Sequence, residues 1–193
     1  SSGLSNYTEW EKLLIAFFQS VSARTEGFNS IDLTTLRIPT LVFMMILMMI
    51  GASPGSTGGG LKTTTVGVMF LSFWHTLKLS RKVVIYGRTI EWDSIHKTFA
   101  ILMLALSILL LFLIALLYIE PFGFMAILFE TISALGTVGF SLGITSQFSS
   151  SGKLLLMLLM FIGRLGALTI AYALSKQKSM SNYQYPKERI IIT

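Results

Sequence analysis

The sequence predicts an all-α integral membrane protein made of two related helical units, one of them with an interrupted membrane helix. Three observations carry that expectation. Of the 193 residues 53% are hydrophobic and only 12% charged, where a soluble domain carries about 25% charge. The run from Thr98 to Ile119 holds no charge at all. And the chain repeats itself around a T-x-G-F motif, at Thr25–Phe28 and Thr137–Phe140.

Composition also excludes some chemistry. There is no cysteine, so disulfides and thiolate metal sites are ruled out. The net charge of +6 would suit a nucleic-acid ligand in a soluble protein, but in a lipid-solvated chain it is assigned to basic cytoplasmic loops and no nucleic-acid partner is expected. The opening "SSGLSNYTEW" reads as a polar loop entering an apolar segment, so the chain is expected to start partway into a longer polypeptide.

Taken in order, Leu13 to Ala23 is a short apolar stretch with the length of a re-entrant helix. Ile38 to Ile50, "IPTLVFMMILMMI", is about 20 Å long as a helix, too short to cross a bilayer alone. The glycine run "GASPGSTGGGLKTTT" follows, and Val66 to Leu77 resumes the apolar pattern. Two half-spans joined by glycines read as one interrupted helix, and irregular backbone at membrane depth is tolerated only inside protein or beside water. Thr98 to Ile119 spans about 33 Å, enough to cross. Phe122 to Leu135 is a second re-entrant length. Leu154 to Ser175 is a second crossing length, broken only by Arg164.

Charge sets the orientation. Lys78, Arg81, Lys82, Arg88 and Lys97 outnumber Glu91 and Asp93, and the tail adds Lys176, Lys178, Lys187 and Arg189. By the positive-inside rule the 78–97 loop and the C-terminus are cytoplasmic. Trp10, Trp74, Trp92 and Tyr118 read as interface anchors, and His75 and His96 as interfacial polar residues without the partner spacing of metal ligands.

The repeat is longer than its motif. "FQSVSA" at Phe18–Ala23 matches "FETISA" at Phe129–Ala134, and Ile50-Gly51 stands as far beyond Thr25 as Ile162-Gly163 stands beyond Thr137. Each unit is a short helix, a T-x-G-F turn and a membrane helix. A dehydrated monovalent cation needs carbonyl oxygens in place of its water shell. Glycine allows the backbone angles that turn carbonyls one way, and a helix C-terminus aimed at the turn adds negative dipole. The sequence supplies all three features twice.

At these residues the chain resembles the Trk/Ktr/HKT superfamily of potassium transporters, most closely its KtrB-type pore subunits. "SARTEGFNSIDL" is similar to the third pore loop of that family, "MIGASPGSTGGGLKTTT" to the loop interrupting its third M2 helix, and "ETISALGTVGFSLGIT" with "FIGRLGALT" to the fourth pore loop and final M2. Members carry four M1–P–M2 units in one polypeptide. The resemblance therefore implies a third repeat lacking M1 over 1–80, a cytoplasmic loop over 81–97, a fourth repeat over 98–175 and a cytoplasmic tail over 176–193. The N-terminal half of the same polypeptide is then missing, and this chain alone does not enclose a pore.

The resemblance implies a selectivity filter at Thr25, Glu26, Gly27 and Phe28 and at Thr137, Val138, Gly139 and Phe140, holding K⁺ by backbone carbonyls. Gly27 and Gly139 are the positions whose type bears on K⁺ against Na⁺, with Thr25, Thr137, Phe28 and Phe140 holding the turn. Asn29 is replaced by Ser141 in the second copy, which weakens a side-chain role there.

The glycine run has three readings. A phosphate loop needs glycine directly before lysine and a preceding strand, but Leu61 separates Gly60 from Lys62 after a Met-rich helix. A flexible linker fits poorly between two halves of one span. The family resemblance implies a gate below the filter, formed by Ser53, Pro54, Gly55, Ser56, Thr57, Gly58, Gly59, Gly60 and Lys62. Arg164 is costly in a membrane helix unless compensated; it either locks helices together or acts as an electrostatic barrier in the pore, with the carbonyls of the 55–60 loop as its partner. Glu130, opposite Gln19 in the repeat, is expected to hydrogen-bond behind the filter.

The function so expected is gated potassium translocation across the cell membrane by a multi-pass protein with no enzymatic chemistry. The chain binds no cofactor but K⁺. By resemblance it works as a homodimer, beside a cytosolic KtrA-like ring that binds the regulatory nucleotide, ATP or ADP. The basic 78–88 segment faces that ring or anionic lipid, and the tail "YPKERIIIT" suits a subunit interface. The alternatives are a non-conducting, membrane-anchored interaction subunit with degenerate pore loops and an ATP-hydrolysing transporter.

Overall fold

A computed structural model describes residues 7–24, 26–56, 58–78, 84–85 and 88–166. Among these residues six helices form: α1 (Glu9–Ser22), α2 (Ile38–Met49), α3 (Thr63–Leu77), α4 (Trp92–Ile119), α5 (Phe124–Gly136) and α6 (Ser150–Leu165). Short 3₁₀ turns stand at Leu33–Thr35 and Thr145–Gln147. One departure from an all-helical chain is a two-residue antiparallel ladder, β1 (Val84–Ile85) against β2 (Arg88–Thr89), which pairs Val84 with Thr89 and Ile85 with Arg88.

The helix ends follow their local chemistry. Thr8 and Glu11 form a capping box at α1, with the Thr8 N–H donating to the Glu11 carboxylate at 2.8 Å. Pro39 stands in the first turn of α2, where it removes no helical hydrogen bond. Ser149 caps α6 by accepting from the Gly152 N–H at 3.1 Å.

Several helix boundaries differ from the sequence expectation: α1 begins at Glu9 instead of Leu13 and α3 at Thr63 instead of Val66. α4 begins at Trp92 instead of Thr98, so the end of the expected 81–97 loop is already helical; Asp93 in its first turn suits the positive helix terminus. α5 begins at Phe124 instead of Phe122, because Gly123 is the N-cap and the Phe122 ring stacks on Phe148, centroids 5.5 Å apart. The expected crossing Leu154 to Ser175 is helical from Ser150 to Leu165, where Gly166, at φ 79°, ends it. Residues 167–175 and the tail 176–193 lie outside the described residues. Among those described, α4 is the one helix long and apolar enough to cross a membrane by itself.

α2 stops at Met49 and α3 starts at Thr63, with irregular backbone between them. The neck of this segment is tied: the Gly51 N–H donates to the Leu61 carbonyl at 2.8 Å, and the Leu61 N–H to the Met49 carbonyl at 3.2 Å.

α5 is the buried centre, packed against α2, α4 and α6. On one side Phe129 and Ile132 meet Met44, Met45 and Met48 of α2. On the other Ile127 and Ala134 meet Leu116 of α4 and Leu159 of α6. The related helix α1 is much less covered. Its Phe18 is 46% exposed while the matching Phe129 is 0%, and Trp10, Leu13, Leu14 and Phe17 are exposed as well. α3 likewise exposes Phe70, Phe73 and Trp74.

Candidate functional site: two glycine turns and an irregular segment

Both T-x-G-F motifs stand directly after a short helix. After α5, Thr137 takes a left-handed conformation (φ 53°), the Val138 N–H reaches back to the Ser133 carbonyl at 3.0 Å, and Gly139 has φ 94°. After α1, the N–H groups of Glu26 and Gly27 both reach the Ser22 carbonyl at 3.2 Å, and Gly27 has φ 70°. The Ser22 hydroxyl also donates to the Phe28 carbonyl at 2.7 Å. Ser22 and Ser133 match in the repeat, so one device builds both turns. Thr25 lies outside the described residues.

The two turns meet. A Cβ added to Gly27 would stand 2.3 Å from the Val138 carbonyl oxygen, and one on Gly139 would stand 3.8 Å from the Gly27 Cα. Any side chain at 27 would therefore occupy the space that this carbonyl faces, in a backbone conformation side chains avoid. Val138 and Phe140 are buried, whereas Gly139 is exposed. The two Phe residues are not equivalent in this chain: Phe140 is 1% exposed and Phe28 66%. Phe140 therefore holds its turn by packing, while Phe28 receives no such cover from the described residues.

Polar side chains brace each turn from behind. Gln19 donates to the Asn29 side-chain oxygen at 3.2 Å. Its counterpart Glu130, 4% exposed, accepts from the hydroxyls of Ser141 and Thr145 and from the Leu142 N–H.

The irregular segment docks on the second turn. The Gly59 N–H donates to the Thr137 hydroxyl at 2.9 Å. A Cβ on Gly59 would stand 2.5 Å from that hydroxyl and 3.0 Å from the Gly163 carbonyl, and one on Gly51 only 2.1 Å from the Gly59 carbonyl. Close backbone approach, more than flexibility, is what these glycines serve. Inside the segment, Lys62 donates to the carbonyls of Ser56 and Gly58 at 2.8 and 3.1 Å, and the Gly58 N–H reaches the Ser56 hydroxyl at 3.2 Å. Pro54 and Gly55 are exposed at the tip and Gly60 has φ 74°; Thr57 lies outside the described residues.

Arg164 differs from expectation. It is exposed in the last turn of α6 and makes no hydrogen bond or ion pair among the described residues. Two of the loop carbonyls assigned to it, those of Ser56 and Gly58, accept from Lys62 instead. Arg164 nevertheless adjoins Gly163, whose carbonyl faces Gly59.

One polar pair escaped the sequence. Glu120, 5% exposed at the end of α4, accepts from the N–H and hydroxyl of Ser149 at 3.0 and 2.6 Å, clamping α4 to the start of α6. The only signal was a lone carboxylate between an apolar run and Pro121. Among the described residues no cluster of three or more His, Cys, Asp or Glu gathers as a metal site.

Residues 1–185 match the family model described as TrkH, cation transport protein. The chain belongs to the TrkH family. Similar proteins include Ktr system potassium uptake protein B of Vibrio alginolyticus, 40% identical over 188 residues, 97% of this chain and 41% of the relative. Ktr system potassium uptake protein D of Bacillus subtilis is 39% identical over 184 residues, 95% of this chain and 41% of the relative. The chain thus spans about two-fifths of the length of these relatives. The crystal structure of the potassium transporter TrkH from Vibrio parahaemolyticus shares the fold, with a TM-score of 0.79 at 19% identity, over 90% of this chain and 39% of that one. TrkH family membership supports a membrane location for the chain.

Proposed function

We propose that this chain supplies the third and fourth of four pore-loop repeats to a potassium transporter of the cell membrane. Residues 1–80 form a third repeat without its M1, 81–97 a cytoplasmic connection, 98–175 a fourth repeat and 176–193 a cytoplasmic tail. The observation that carries this reading is the meeting of Gly27 with the Val138 carbonyl, two matched turns brought to one place from remote parts of the chain. The potassium-uptake names of the similar proteins support the choice of ion.

In this reading Thr25–Phe28 and Thr137–Phe140 are filter strands whose carbonyls replace potassium's water shell. α1 and α5 are pore helices, each with its C-terminus running into a filter turn, where the negative helix end favours a cation. No bond is made or broken, so ion passage is permeation. The segment Ser53–Lys62 is the gate, held shut by Gly59 on Thr137 and by Lys62 on its own carbonyls. An apolar cavity of about 50 Å³ beside its neck, lined by Met49, Leu61, Leu109 and Ile132, gives the neck room to shift. Arg164 adds positive charge near the gate. The preceding half of the polypeptide provides the other two filter strands, two copies associate, and a cytosolic KtrA-like ring that binds ATP or ADP drives the gate.

The test is rubidium flux into potassium-loaded liposomes carrying the complete transporter, its Gly139→Asp variant and a deletion of 55–60. Aspartate at 139 abolishes or deselects flux, while the deletion raises flux and weakens regulation. Absence of flux in the parent protein, or flux indifferent to both changes, overturns the pore assignment and leaves a non-conducting interaction subunit.

A further inference from the structure

We propose that Glu130 is a positioning residue that fixes the turn beyond Gly139 by hydrogen-bond geometry, and so sets ion preference on the fourth-repeat side. The inference rests on the filter reading of Thr137–Phe140.

The carboxylate is the hub of a closed polar ring. Oε1 accepts from the Ser141 hydroxyl at 2.5 Å and from the Leu142 N–H at 3.0 Å, and Oε2 accepts from the Thr145 hydroxyl at 2.7 Å. The hydroxyls of Ser141 and Thr145 stand 2.9 Å apart, and the Gly143 N–H donates to the Ser141 hydroxyl at 2.9 Å. Ser141 directly follows Phe140 in the motif, so the ring decides where the chain goes as it leaves the Gly139 turn. The same side chain is rooted in α5, the most buried helix, and α5 runs straight into Thr137. Glu130 thereby fastens the far side of the turn to the helix that begins it. Nothing along Phe140–Ile144 is regular structure that would hold this backbone by itself.

The matched residue decides between charge and geometry. In the first unit Gln19, 6% exposed, sits at Glu130's place in the repeat, donates to Asn29 at 3.2 Å and accepts from Ser30 at 3.5 Å. An uncharged amide there also ties its helix to the residues just beyond its glycine turn. A glutamine at 130 can accept from Ser141 and Leu142 with its oxygen and donate to the Thr145 hydroxyl with its nitrogen. Alanine leaves the partly buried Leu142 N–H without its partner and opens the ring.

The experiment compares the complete transporter with E130A, E130Q and the double variant S141A/T145V, which leaves Glu130 in place. Liposome fluxes give the rubidium-to-sodium ratio, and amide hydrogen exchange gives the protection of Leu142 and Gly143. E130A and S141A/T145V are expected to lower the ratio by about tenfold, the order of one lost hydrogen bond to a carboxylate, and to speed exchange at Leu142. E130Q is expected to restore both to within about threefold of the parent, the geometry being kept. If E130Q fails as E130A does, charge is the determinant and the positioning role is overturned; unchanged exchange in E130A overturns it equally. If the parent protein carries no flux, the filter reading fails on its own, and the ion-preference role falls with it, while the exchange data still decide whether Glu130 holds the turn.

Discussion

The Gly59 N–H donates to the Thr137 hydroxyl at 2.9 Å, joining the break in one unit's helix to the glycine turn of the other. This contact is long in sequence and short in space, and it fits only because residue 59 has no Cβ. Gly59→Ala would bring a methyl to 2.5 Å from the hydroxyl and 2.6 Å from the Thr137 methyl. The segment must then lift away, at a cost of about 1–3 kcal/mol for the seated state. Rubidium flux without activating nucleotide is expected to rise about tenfold or more. Thr137→Ser keeps the acceptor and should stay shut. Equal leak in the serine and alanine variants would show that the hydrogen bond does not hold the segment.

Lys62 makes a separate prediction. Its ammonium bridges two carbonyls of its own segment, Ser56 and Gly58. Lys62→Met keeps the length of the side chain and removes the donor, so the amides of Gly58 and Gly59 should exchange faster and resting leak should increase. Hydrogen exchange of the reconstituted protein reads the first and liposome flux the second. Lys62→Arg, which still donates, should fall between parent and Met. Protection unchanged in the Met variant would assign the segment's order to Gly59 and the neck alone.

What the sequence made legible was local. The T-x-G-F repeat, the short helices before it, the break at Gly51–Lys62 and the uncharged run of α4 are each encoded within a few turns of chain. What it left hidden was set by the packing of remote elements. Gly51 and Gly59 read equally well as hinge glycines until their neighbours are known, and Glu120 finds Ser149 only because α4 and α6 pack side by side. Arg164 shows the limit from the other direction. A charge in an apolar run says that some compensation is needed, but not which group supplies it, and the carbonyls of Ser56 and Gly58 accept from Lys62 instead. The N-terminal extension of α4 to Trp92 was hidden because charged and polar residues continue a helix as readily as they form a loop.

Three helix glycines should rank by what an added methyl would meet. At Gly163 it would stand 2.2 Å from the Leu135 carbonyl, and relief requires α5 and α6 to separate. At Gly152 it would stand 2.1 Å from the Glu120 carboxylate, the end of a side chain that can swing aside. At Gly67 nothing lies within 4 Å. Gly163→Ala is therefore expected to cost about 1–3 kcal/mol, Gly152→Ala less, and Gly67→Ala to gain about 0.5–1 kcal/mol from helix propensity. Thermal unfolding in detergent gives the order directly. A Gly163→Ala protein as stable as its parent would mean that the α5–α6 crossing is looser than these distances require.

Asp32 supplies a pH dependence outside the membrane helices. Its carboxylate accepts from the Thr34 hydroxyl at 2.7 Å and the Thr34 N–H at 2.9 Å, capping the Leu33–Thr35 turn that leads into α2. The side-chain hydrogen bond first, and the backbone one second, hold its pKa below the usual carboxylate value of 3.8. A group lowered on folding stabilises fully above its unfolded value and loses that contribution as pH falls through the folded one. Protection of the Thr34 amide should therefore be constant near neutrality and decline only below about pH 4. Asp32→Asn keeps the accepting oxygen without a titrating proton, so its protection should be flat across the same range. The same acid decline in the Asn variant would trace it to another group and sink this assignment.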